Sequence, residues 1–179
     1  MLPALLLVSS LLAPEIEVQA GALRGTKAAD PWAPVIGVRA SANVGDMVAM
    51  GLLANLAFRD PVFRGADSSG VHAWDALAEL RLHSTGPLRV HLAGAAGVGQ
   101  ITTWQCDCNQ SLFPLHGSVA FTWQASAGLR YLAADGASVG IEFSLTHWKG
   151  LRHADFEYTG QSRPAPFDAV LILLAAGFR

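Results

Sequence analysis

The chain has 179 residues, long enough for one domain with a sizeable interior, yet 51% of them are hydrophobic and only 15% are charged. Soluble domains carry ~25% charged residues, so this balance argues against an ordinary soluble protein. A net charge of −2 leaves no basic footprint for nucleic acid, and eighteen glycines with no run of 18 apolar residues beyond the N-terminal region argue against helices crossing a membrane.

Residues 1–13, MLPALLLVSSLLA, form an apolar stretch of signal-peptide length without a positive flank. They are read as a signal peptide, with cleavage points after Ser10, Ala13 or Ala20, and with a buried N-terminal helix or strand as the alternative. Residues 14–179 then form a single domain.

From there apolar and polar residues alternate, the period of a strand with two unlike faces. Residues 15–23 set Ile16, Val18, Ala20 and Ala22 against Glu15, Glu17, Gln19 and Gly21. Residues 32–41 set Trp32, Pro34, Ile36, Val38 and Ala40 against Gly37, Arg39 and Ser41. Residues 47–58 oppose Val48, Met50, Leu52, Ala54, Leu56 and Phe58 to Ala49, Gly51 and Asn55. Residues 73–83 oppose Trp74, Ala76, Ala78, Leu80 and Leu82 to Asp75, Glu79, Arg81 and His83. The second half continues in kind: 88–99 carries Arg89 and His91 on its polar face, and 118–131 carries Thr122, Gln124, Ser126 and Arg130. The stretch 138–148 is the most regular, with Val139, Ile141, Phe143 and Leu145 against Ser138, Gly140, Glu142, Ser144 and Thr146. The last, 167–178, is nearly all apolar and ends on Phe178, with Val170, Ile172, Leu174 and Ala176 on its face.

The eight strands run from 9 to 14 residues, long enough to cross a bilayer at a tilt, which takes about 9–11. An even number of antiparallel strands that closes on itself leaves no backbone edge exposed to lipid. The connections sort by parity: ANVGD, STGP and LAADGA are short, whereas 24–31, 59–70, 102–117 and 149–166 are long. Short turns on one rim and long loops on the other describe an eight-stranded antiparallel up-and-down transmembrane β-barrel with a polar interior. Trp32, Trp74, Trp104, Trp123 and Trp148 all fall toward the long-loop rim, as an interfacial girdle would, and Tyr131 and Phe178 suit the opposite girdle.

The same parity sends Arg39, Arg81, Arg89 and Arg130 inward together with Glu15, Glu17, Asp75, Glu79 and Glu142. Eight strands enclose only enough room for side chains. Charges in that space are expected to pair into a network with no open pore.

This arrangement resembles the small eight-stranded bacterial outer-membrane barrel proteins of the OmpA, OmpW and OmpX kind, over essentially the whole chain after residue 13. The resemblance implies a cell-envelope protein of a Gram-negative outer membrane, porin-like in build, monomeric, and surrounded by lipid and lipopolysaccharide. It also implies a terminal aromatic residue read by the barrel-assembly machinery. Phe178 fits that signal, with Arg179 after it.

His147, in FSLTHWKGL, is the weak catalytic candidate. The segment is faintly similar to the lipid A 3-O-deacylase barrels, where a histidine and a serine two positions later act on lipid esters at the outer wall. Here Lys149 stands at the serine position and Gly150 at the asparagine position, so only the histidine matches. Lys149, Arg152, His153 and Arg163 in the last long loop are candidates for lipopolysaccharide phosphates, or simply solvated. Cys106 and Cys108, in WQCDCNQ, leave a disulfide, free thiols or part of a metal site open. No motif for a cofactor or a resident metal emerges. The reading is therefore a structural or surface-interaction barrel, with a lipid A-modifying hydrolase as one alternative. A soluble lipocalin-like barrel, apolar inside and polar outside, is the other.

Overall fold

The computed structural model describes residues 14–26, 32–64, 67–106, 112–116, 119–154 and 162–179. The predicted signal peptide and Cys108 lie outside the described residues, as do the side chains of Trp104 and Cys106 and of the cations in the last long loop beyond Lys149.

Nine strands form: β1 Pro14–Gly25, β2 Trp32–Asn43, β3 Val48–Arg64, β4 Asp67–His83, β5 Leu88–Cys106, β6 Leu112–His116, β7 Ala120–Leu132, β8 Ala137–Ala154 and β9 Ser162–Phe178. All pairings are antiparallel, and β1 closes the sheet against β9. Strand β6 pairs with the upper part of β5 and β7 with the lower part, so the two make one interrupted stave. The result is a closed barrel of eight staves.

The short turns are tight. Val44 N–H bonds Val48 O at 2.9 Å, Ser84 N–H bonds Val90 O at 2.9 Å, and Ala133 N–H bonds Ala137 O at 2.8 Å. Gly86 and Gly136 take positive φ of 98° and 90° there, a region that side chains with a Cβ resist.

The opposite rim differs from the expected loops. Pairing between β3 and β4 runs on to Arg64 and Asp67, and between β8 and β9 to Ala154 and Ser162. Register shifts at Arg59/Val62 and Trp148/Leu151 interrupt the strict alternation, and that is where sequence periodicity stops reading as strand. Strands of 17 to 19 residues exceed the bilayer requirement of about 9–11. The connections 59–70, 102–117 and 149–166 are therefore, among their described residues, continuations of the paired strands.

The apolar faces point outward: Leu52 is 68% exposed and Leu174 65%, with Ile16, Val18, Leu92, Val98, Phe121 and Phe143 among the rest. The lower interior holds the charges. This is the reverse of what a lipocalin-like barrel requires, and it suits lipid outside.

The interior has two tiers. Toward the short turns it is ionic. Toward the long connections it is an apolar core of Leu23, Val35, Val71, Ile101, Leu171 and Leu173 with Trp148. These residues continue the inward parity of their strands: Leu23 follows Glu15, Glu17, Gln19 and Gly21 on one face of β1.

Candidate functional site: the filled lumen and its short-turn mouth

Arg39 is the centre of the lower tier. It stands on β2 opposite Glu17 of β1 and is fully buried. Its guanidinium pairs with Glu17, with Glu79 Oε2 at 2.9 Å, and with both oxygens of Glu142 at 2.9 Å. Three carboxylates from β1, β4 and β8 thus converge on one fork, which has donors enough to serve all three.

The cluster extends in both directions. Glu17 is shared with Arg130, which also pairs with Glu15. Arg81 NH2 lies 3.1 Å from Glu79 Oε1, and His91 Nε2 lies 3.1 Å from Glu142 Oε2. Ser144 Oγ donates to Glu142 Oε1 at 3.1 Å, and Gln19 Nε2 donates to Glu17 Oε1 at 2.8 Å. One connected network therefore runs from Glu15 through Arg130, Glu17 and Arg39 to Arg81 and His91. A Cβ on Gly128 would collide with the His91 ring, so this glycine leaves the imidazole its place beside Glu142.

Two residues assigned to this network by parity stand apart from it. Asp75 is buried, but its partner is the amide of Asn55, whose Nδ2 donates to Oδ1 at 2.9 Å. Leu77 lies between it and Glu79 on the same face of β4. Arg89 is half-exposed beside the short turn, and its Nε donates to Gly86 O at 3.1 Å. A strand end lets a long side chain reach solvent, so inward parity does not bury it.

The tryptophans divide as well. Trp32, Trp74 and Trp123 lie on the outer surface, and Trp74 Nε1 donates to Gln100 Oε1 at 3.1 Å. Arg24 lies over the Trp32 ring at 5.6 Å. Trp148 is a correction. It is only 3% exposed and belongs to the upper core, because it shares the parity of Glu142, Ser144 and Thr146 just before the register shift. Tyr131 and Phe178 are exposed at the short-turn end.

His147 faces outward near the long-connection rim. It stacks on Trp123 at 5.5 Å, and its Nδ1 lies 2.6 Å from Asp168 Oδ1 on β9. The three are cross-strand neighbours in one row. Sequence reasoning singled out the histidine but had no means to pair it with Asp168, 21 residues away. The upper core was also missed, although each of its residues obeys the parity that found the charges. Apolar residues on both faces of a strand give no contrast to read.

A shallow recess opens at the short-turn end of the lumen, lined by Glu15, Asn43, Arg81, His83, Arg89, His91 and Arg130. His83 and His91 are direct cross-strand partners there. No group of three or more metal-binding side chains converges among the described residues.

No family model and no curated protein matches the chain in sequence. Solved structures do match. Neisserial surface protein A aligns with a TM-score of 0.64 at 6% identity, over 92% of this chain and 96% of that one. The attachment invasion locus protein Ail of Yersinia pestis aligns at 0.56 and 9% identity, over 92% and 96%. The outer membrane protein W of E. coli aligns at 0.52 and 15% identity, over 94% and 98%. The chain has the fold of the small eight-stranded outer-membrane β-barrels, along its whole described length.

Proposed function

We propose that this protein resides in a bacterial outer membrane, short turns toward the periplasm, as a non-conducting barrel with a structural or surface-interaction role. The observation that carries the reading is the two-tier interior. Arg39 and its three carboxylates fill the lower lumen, and the apolar core around Leu171, Leu173 and Trp148 fills the upper. An ion following this axis would have to displace a paired charge cluster and then shed its water in an apolar tier. The projecting hairpins β3–β4 and β8–β9 are then the parts that meet the exterior.

Single-channel recording in planar bilayers tests it. The expected result is no stepwise conductance from the purified, heat-modifiable barrel; discrete channel openings would overturn the sealed lumen.

The His147–Asp168 pair supports a second reading, a hydrolase acting on lipid esters at the outer wall. Asp168 orients the imidazole as a carboxylate orients a general base. With Lys149 at the position of the expected serine, water would have to be the nucleophile. Fatty-acid release from purified lipid A, lost in His147→Ala, is the expected sign of this activity. Its absence from the wild-type protein ends the reading.

A further inference from the structure

We infer that the recess at the short-turn mouth is a binding site for a small oxyanion of the phosphate class. Three arginines line it, Arg81, Arg89 and Arg130, with Glu15 as the single carboxylate of the lining. The other carboxylates of the tier, Glu17, Glu79 and Glu142, lie deeper and are held by Arg39. Apart from Arg39, the guanidinium groups of this tier therefore stand at the mouth, and Glu15 is the one carboxylate lining it.

Two further observations point to an anion site. Arg89 and Arg130 are direct cross-strand partners on β5 and β7, and like charges placed opposite each other repel. Arg130 is relieved by Glu15 and Glu17, whereas Arg89 makes no ion pair among the described residues and holds only the Gly86 carbonyl. Arg81, 3% exposed, lines the same recess with its Nε lacking a hydrogen-bond partner. A buried guanidinium N–H with no acceptor is costly, and an oxyanion between Arg81 and Arg89 would satisfy both forks.

The recess is open to solvent at its mouth, so an ion would sit against the arginines there without being enclosed. The apolar tier above closes it from the other side, so a ligand enters and leaves at the short turns. This goes beyond the sealed-barrel reading and is tested independently of it, since binding is measured in micelles and conductance in bilayers.

The test uses the folded barrel in a maltoside detergent, which contains no phosphate, with Arg89→Gln as the variant. Arg89 is half-exposed and outside the ion network, so the variant keeps its fold, checked by heat-modifiable gel mobility. Inorganic phosphate titrated by calorimetry should bind saturably at one site per barrel, and Arg89→Gln should weaken it by about tenfold or more. Binding of a short-chain phosphatidic acid with the same Arg89 dependence, but not of inorganic phosphate, supports the same site filled by a lipid phosphate. Failure of both probes to bind, or equal binding by the wild type and Arg89→Gln, overturns the proposal.

Discussion

Without its guanidinium, Arg39 would leave Glu17, Glu79 and Glu142 buried close together, with only Arg130, Arg81 and His91 beside them. Breaking a buried pair from one side costs about 3–5 kcal/mol, because the remaining charges stay buried and uncompensated. Arg39→Met is expected to lower the unfolding midpoint in denaturant by a corresponding amount, while Arg89→Met, at the solvated rim, should leave it nearly unchanged. The two tryptophan environments separate in the same assay. Trp148→Ala opens a cavity in the upper core and should cost about 3–5 kcal/mol. Trp74→Ala removes an outward ring that lipid can replace, and it should cost clearly less. Equal losses at the two positions would contradict the inward placement of Trp148.

The short turns behave as single elements with one demanding position each. Gly86 has open space where a Cβ would go, so Gly86→Ala carries only the backbone cost of its φ, about 1–3 kcal/mol. At Gly136 the same change also places the Cβ 2.9 Å from the carbonyl oxygen of Arg179, and the larger loss is expected there. Ranking the two unfolding midpoints checks this. At this scale the sequence was legible wherever the two faces of a strand differ. Val139 to Thr146 reads without error as one stave with Glu142 inward, and the same contrast on β2 and β4 sends Arg39 and Glu79 inward. Legibility thinned where contrast was lost: on β9 the alternation puts Ile172 and Leu174 on the outward face of Phe178, but with both faces apolar nothing marked Leu171 and Leu173 as an inner core. It failed at the register shift between β3 and β4, where Asp60, Pro61 and Gly70 fall in the irregularity and Asp67, paired beyond it, imitates loop chemistry. Partnerships across the barrel, such as His91 with Glu142 at 51 residues' separation, leave no trace in a single chain's periodicity.

At the scale of the whole molecule, an outer wall of exposed Leu, Ile, Val and Phe has no stable place in water. The protein is expected in the outer-membrane fraction, migrating faster on gels unheated than boiled; recovery as a free soluble protein would contradict the lipid-facing wall. The fold likeness at 6–15% identity has a physical basis. Closure and alternation constrain polarity at each position far more than residue type, so sequences can diverge while the eight-stave form persists.

On the sealed-lumen reading proposed above, the two tiers make the molecule a cup rather than a tube. A tube is known by flux, whereas a cup only exchanges its contents with the side on which it opens. In sealed vesicles the mouth therefore becomes a marker of sidedness. A barrel inserted with its short turns outward presents the mouth to added solute, and one inserted the other way hides it until the vesicle is broken. Occupancy before and after lysis would count the two orientations directly.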